Sequence, residues 1–133
     1  MTIEFADSYI DRLFAERDLL GLYHIITVME QDRALPEEFW LFRRLREWAG
    51  SSRSGIWQYY ESLPEEEFER MVQALDRFGL ADIAERYRFG REAWNEPAQA
   101  EDLDDWIDAH EERIDEAAFD LISRRKDLLI SKS

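Results

Sequence analysis

Cysteine is absent from the chain, so neither a disulfide nor a thiolate metal site can form, and an intracellular, cytoplasmic setting is expected. Proline and glycine are scarce, three and five residues in 133, which leaves little room for a flexible linker and points to one domain over residues 1–133. Lysine is reduced to Lys126 and Lys132. No run reaches the roughly 18 apolar residues of a membrane span. Met1–Asp7 has neither a basic start nor an apolar core, so no signal peptide is expected. No segment alternates with the period of two that marks a strand.

What is present is a core and a charge. Hydrophobic residues make up 45% of the chain and aromatics 14%, enough to bury a real interior rather than leave the chain disordered. The formal net charge is −14, which disfavours nucleic acid and anionic lipid as direct partners and favours a basic one.

Apolar residues recur at helical spacing throughout. Phe5, Tyr9, Leu13 and Phe14 form one stripe, and Leu22, Ile25, Ile26 and Met29 the next, with Gly21 expected to separate or kink them. Pro36 suits a first helical turn, with Glu37 and Glu38 at the positive end of a helix carrying Leu41, Leu45 and Trp48. The Gly50–Gly55 loop ends it, and a short aromatic helix follows. Ser62-Leu63-Pro64-Glu65 has capping-box spacing. Two helices joined by a tight turn at Gly79 predict a helical hairpin over residues 63–94. Asn95-Glu96-Pro97-Ala98-Gln99 reads as the clearest linker. After it, Leu103, Ile107, His110, Ile114, Ala117, Leu121 and Leu128 predict one long C-terminal helix, or two in line. That seam can bury itself within the domain or across a two-fold, which makes a homodimer an open expectation. The fold class is all-α, a single compact domain of about six helices.

Catalytic signatures fail one by one. The Gly50 to Gly55 spacing of a phosphate-binding loop is followed by Ile56 and Trp57 instead of Lys and Ser/Thr. His110-Glu111-Glu112-Arg113-Ile114 lacks the second histidine of a zinc helix, so His110 reads as a packing residue. Asp102, Asp105 and Asp108 lack the glycine and terminal glutamate of a calcium loop. Ser51, Ser52 and Ser54 have no histidine–acid partner in view, and loop-forming roles suffice for them. No catalytic residue, metal or cofactor is expected. Trp57, Gln58, Tyr59 and Tyr60 form an aromatic cluster that either lines a small-ligand pocket or packs between helices.

The acids carry the strongest signal. Between Glu92 and Asp120 twelve acidic residues face Arg113 alone. On one helix Asp104, Asp108, Glu111 and Asp115 would form a row, and Glu101, Asp105, Asp108 and Glu112 a neighbouring one. Glu101 to Glu116 would span about 24 Å at the helical rise, roughly one carboxylate per 2.7 Å. That lies between duplex DNA at about 1.7 Å per charge and a single strand at about 3.4 Å. Such crowding opposes helix formation by a few tenths of a kcal/mol per i, i+4 pair.

Ser54-Gly55-Ile56-Trp57-Gln58-Tyr59-Tyr60 and Ala74-Leu75-Asp76-Arg77-Phe78-Gly79-Leu80 resemble a bacterial family of small acidic all-α domains. The family pattern is Asn-Gly-Gly-Phe-x-Gln-Tyr-Phe, then Ala-Leu-x-x-Ile-Gly. Gly55, Gln58, Tyr59, Ala74, Leu75, Gly79 and Ala84 match it, Leu103-Asp104 and Trp106 fit its last part, and Arg53, Ser54 and Ile56 depart from it. The resemblance spans Trp40 to Leu121. Most members have no assigned function, and one is a DNA mimic that occupies the DNA-binding surface of a transcriptional repressor. It implies a non-enzymatic acidic interaction protein. Glu101, Asp104, Asp105, Asp108, Glu111, Glu112 and Asp115 would then meet a basic protein surface, that of a DNA-binding protein or transcription factor.

Overall fold

The computed structural model describes residues 5–130; the Met1–Glu4 part of the stretch read for a signal, and Lys132, lie outside them. Eight α-helices are described: α1 (Asp7–Ala15), α2 (Leu19–Glu30), α3 (Glu37–Ser51), α4 (Trp57–Glu61), α5 (Glu65–Arg77), α6 (Ala81–Ala93), α7 (Pro97–Ala109) and α8 (Glu111–Ser123). A 3-10 turn, Lys126–Leu128, follows. No strand occurs among the described residues, and no described helix is long and apolar enough to cross a membrane.

The third helix is central because it is apolar on two sides. Phe39, Leu41, Phe42, Leu45 and Trp48 are all fully buried, and α2, α4, α5 and α8 pack around them. The seam Leu103, Ile107, Ile114, Ala117 and Leu121 is likewise buried inside this one chain, where α7 packs on α6 and α8, and α8 along α3.

Below Trp48 lies a hydrogen-bonded aromatic knot. The Trp48 indole N–H donates to the Tyr60 hydroxyl at 2.9 Å, and that hydroxyl donates to the Tyr87 carbonyl at 2.7 Å. The Tyr59 and Tyr87 hydroxyls bond each other at 2.8 Å. Burial pushes the Tyr59 phenol up to about 12 and drives Tyr60 and Tyr87 up as well. Gly90 lets the Tyr60 ring lie directly on α6, in the space a Cβ would need.

Four local expectations need correction. The break between the first two helices falls at Arg17, with φ 52°, not at Gly21. Gly21 sits inside α2, where its N–H is capped by Asp18 Oδ1 at 2.9 Å and a Cβ would approach Leu13 Cδ2 to 2.7 Å. No capping box forms at Ser62, because Pro64 takes the N-cap position and no side chain caps α5. The Asn95–Gln99 linker is mostly helix: Pro97 occupies the first helical position, where its missing N–H costs nothing. The C-terminal stretch forms two helices rather than the one long helix, the other of the two forms its spacing allowed, and the described helices number eight where about six were expected.

The interruption falls at His110, with φ −113° and ψ 21°. A continuous helix would stack Asp104, Asp108, Glu111 and Asp115 as like-charged neighbours. A new helix start instead places Glu111 and Glu112 in the first turn of α8, at the positive end of its dipole. His110 stacks on Trp106 with centroids 4.1 Å apart, and its Nδ1 lies 2.8 Å from the Trp106 carbonyl. The Gly79 expectation holds in detail. Its φ is +75°, and Leu80 N–H to Leu75 O at 2.8 Å with Gly79 N–H to Asp76 O at 3.2 Å closes α5 in a Schellman motif.

Candidate interaction surface

The seven acids expected to act together divide into three groups. Glu101, Asp105 and Asp108 project from α7 at i, i+4 and i+7, away from its buried Ala100, Leu103 and Ile107. All three are exposed, and with Glu112 at the start of α8 they make no ion pair among the described residues. This column is the unneutralised part of the 101–116 stretch that shares one face.

Glu111 and Asp115 belong to a second group, drawn back against the third helix and the loop after it. Arg53 reaches Glu111 at 3.4 Å, and Arg46 reaches Asp115 at 2.9 Å. Asp115 is half-buried, and burial raises its proton affinity despite the Arg46 guanidinium, with Glu111 pushing the same way. The continuous row Asp104, Asp108, Glu111, Asp115 therefore does not exist as one helix face. Arg86 similarly takes Asp102 at 3.7 Å, and Arg17 takes Glu116 at 3.1 Å.

Asp104 stands alone in the third role. Its Oδ1 accepts the Ile56 N–H at 2.9 Å, so it ties α7 to the start of α4. Burial raises its proton affinity, the Ile56 hydrogen bond opposes this, and Asp105 and Glu101 add to it.

The aromatic cluster also divides. Tyr60 is buried and Tyr59 mostly so, both within the core knot, while Gln58 is exposed with its side-chain amide donating to the Ser54 carbonyl at 3.0 Å. Trp57 is 44% exposed, one of two large apolar side chains that open to solvent among the described residues. It lines a groove of about 600 Å³ with Trp94, Pro97, Ala100, Glu101 and Asp104. Gly55, at φ +114°, permits this: a Cβ there would come within 2.6 Å of the Trp57 indole nitrogen. Spacing does not bring Trp94 and Pro97 together with Trp57, because one precedes and the other lies inside the stretch expected to be a linker, and only the turn from α6 into α7 carries them beside it.

Among the described residues no three carboxylate or imidazole groups come together as a metal-ligand set. No protein-family model, no curated protein and no solved structure matches the chain.

Proposed function

We propose that this is a non-enzymatic acidic interaction protein that docks on a basic surface of another protein through the outward face of α7. The observation that carries the reading is the column Glu101, Asp105 and Asp108, continued by Glu112. These are exposed carboxylates that share one face and make no ion pair with a described residue, whereas their neighbours Asp102, Glu111, Asp115 and Glu116 are each held by an arginine. Leaving them unpaired opposes helix stability. It favours fast, salt-sensitive encounter with a positive partner. The resemblance in the Gly55–Tyr60 and Ala74–Leu80 segments adds the class of partner: a DNA-binding protein, whose phosphate-contacting surface the carboxylates would occupy as a DNA mimic.

Competition tests this. A labelled duplex held by a basic DNA-binding domain is titrated with the protein, and release is followed by fluorescence anisotropy. Release in proportion to added protein is expected, and it should be lost in the E101Q/D105N/D108N variant. Release that this variant produces equally well would contradict the reading.

A further inference from the structure

The molecule repeats one local arrangement: a cation held between an aromatic ring and a carboxylate. Arg70 lies 3.9 Å from the Trp40 ring centroid and 3.2 Å from Glu37. Arg86 lies 5.4 Å from the Trp106 ring and 3.7 Å from Asp102. Arg17 lies 4.2 Å from the Phe119 ring and 3.1 Å from Glu116. Arg91 sits over Phe68 at 4.8 Å and pairs with Glu65. The ring face attracts the guanidinium by its quadrupole, and the carboxylate fixes the edge.

Two tryptophans break the pattern. Trp48 is buried in the core, and Trp40 and Trp106 each carry an arginine, whereas Trp57 and Trp94 carry no cation among the described residues. Both line the groove at the start of α7, and the same groove is lined by the Glu101 and Asp104 carboxylates and, among the described residues, by no lysine or arginine. Asp104 spends one oxygen on the Ile56 N–H, and Glu101 makes no ion pair with a described residue. Ring and acid are thus in place at one site, with Gly55 against the indole, and no described residue supplies the cationic member of the set.

We infer that the groove lined by Trp57, Trp94, Glu101 and Asp104 takes an arginine side chain of the basic partner, an inference that rests on the acidic-docking reading above. Charge complementarity selects the occupant: an apolar ligand would leave both carboxylates facing it, and an anion would be repelled by them. The site makes the docking face specific, since a carboxylate column alone accepts any cation and a ring-lined slot favours the planar guanidinium over the compact lysine ammonium.

The test follows the tryptophan indole N–H resonances of the intact protein during titration with acetylated hexa-arginine amide and, separately, hexa-lysine amide at low salt. The Trp57 and Trp94 signals should move with hexa-arginine while that of Trp48 stays, and hexa-arginine should bind more tightly than hexa-lysine. Trp57→Leu should weaken hexa-arginine about 2- to 5-fold, the range of one solvent-accessible cation–π contact. Trp57→Phe should recover part of the loss, and serves with the wild-type shifts if the leucine variant fails to fold. Binding in which the Trp57 and Trp94 signals stay still and both variants match wild type would overturn the arginine slot alone. Absence of any binding to either peptide would overturn the slot and the acidic-docking reading together.

Discussion

Asp104 Oδ1 accepts the Ile56 backbone N–H at 2.9 Å, so one carboxylate of the acidic helix is also the clasp that holds the aromatic loop. The clasp carries a cost, because its charge is partly buried and sits beside Asp105 and Glu101. Replacing Asp104 with asparagine keeps an acceptor and removes the charge, and should leave stability at neutral pH equal to or above wild type. Alanine removes the acceptor and should cost about 1–2 kcal/mol, the usual loss of a capping bond to a partly buried N–H. Urea denaturation of both variants checks this, and an Asn variant as unstable as the Ala one would contradict it.

Arg46 and Asp115 join the third helix to the eighth at 2.9 Å, in a half-buried setting. Burial outweighs Arg46 in setting the proton affinity of Asp115, so the carboxylate gains little net benefit from ionising there. Asp115→Asn should therefore change stability by less than about 1 kcal/mol. Arg46→Met should cost more, because it leaves Asp115 facing Glu111 without its cation. A double-mutant cycle measures the pair, and an Asn variant that loses more than the Met variant would refute the assignment.

Much of the fold was legible in residue spacing. The stripes of the fifth and sixth helices, the Gly79 terminator between them and the proline-led start of the third helix follow from local preference alone. What escaped is set by distant contacts. Gly21 looked like a breaker because glycine is poor in helices; it lies inside α2, at a position where Leu13 occupies the space a Cβ would take. The charge row looked continuous because spacing says nothing of partners 69 residues away, the separation of Arg46 and Asp115, or 58, that of Arg53 and Glu111. Of the candidate interaction face, the α7 column was readable from the i, i+4, i+7 acids; the Trp57–Trp94 groove was not, since its walls come from separate turns.

Acid should first stabilise and then destabilise the protein. Burial raises the proton affinities of Asp104 and Asp115 above those of the unfolded chain, so lowering pH from neutral toward about 4 relieves a cost borne only by the folded state. Asp82 behaves oppositely: burial would raise it, yet the Arg113 hydrogen bond and charge, with the Ile83 and Asp82 N–H groups, hold it low. Its contribution is present above the unfolded carboxylate value and is lost as pH falls through its own lowered value. Urea midpoints measured from pH 7 to pH 3 should rise, pass a maximum in the mildly acidic range and fall. A monotonic decline from pH 7 would contradict this sign.

The most direct test of the docking face is the salt dependence of octa-arginine affinity in two charge-matched variants. In E101Q/D105N/D108N the exposed column on α7 is neutralised; in E61Q/E66Q/E69Q three exposed acids on α4 and α5 are. The first variant should bind at least about 10-fold more weakly at low salt and show a flatter logarithmic salt slope, whereas the second should stay within about twofold of wild type. Equal losses in the two variants would mean that net charge alone attracts the peptide, and that the α7 face is not a recognition surface.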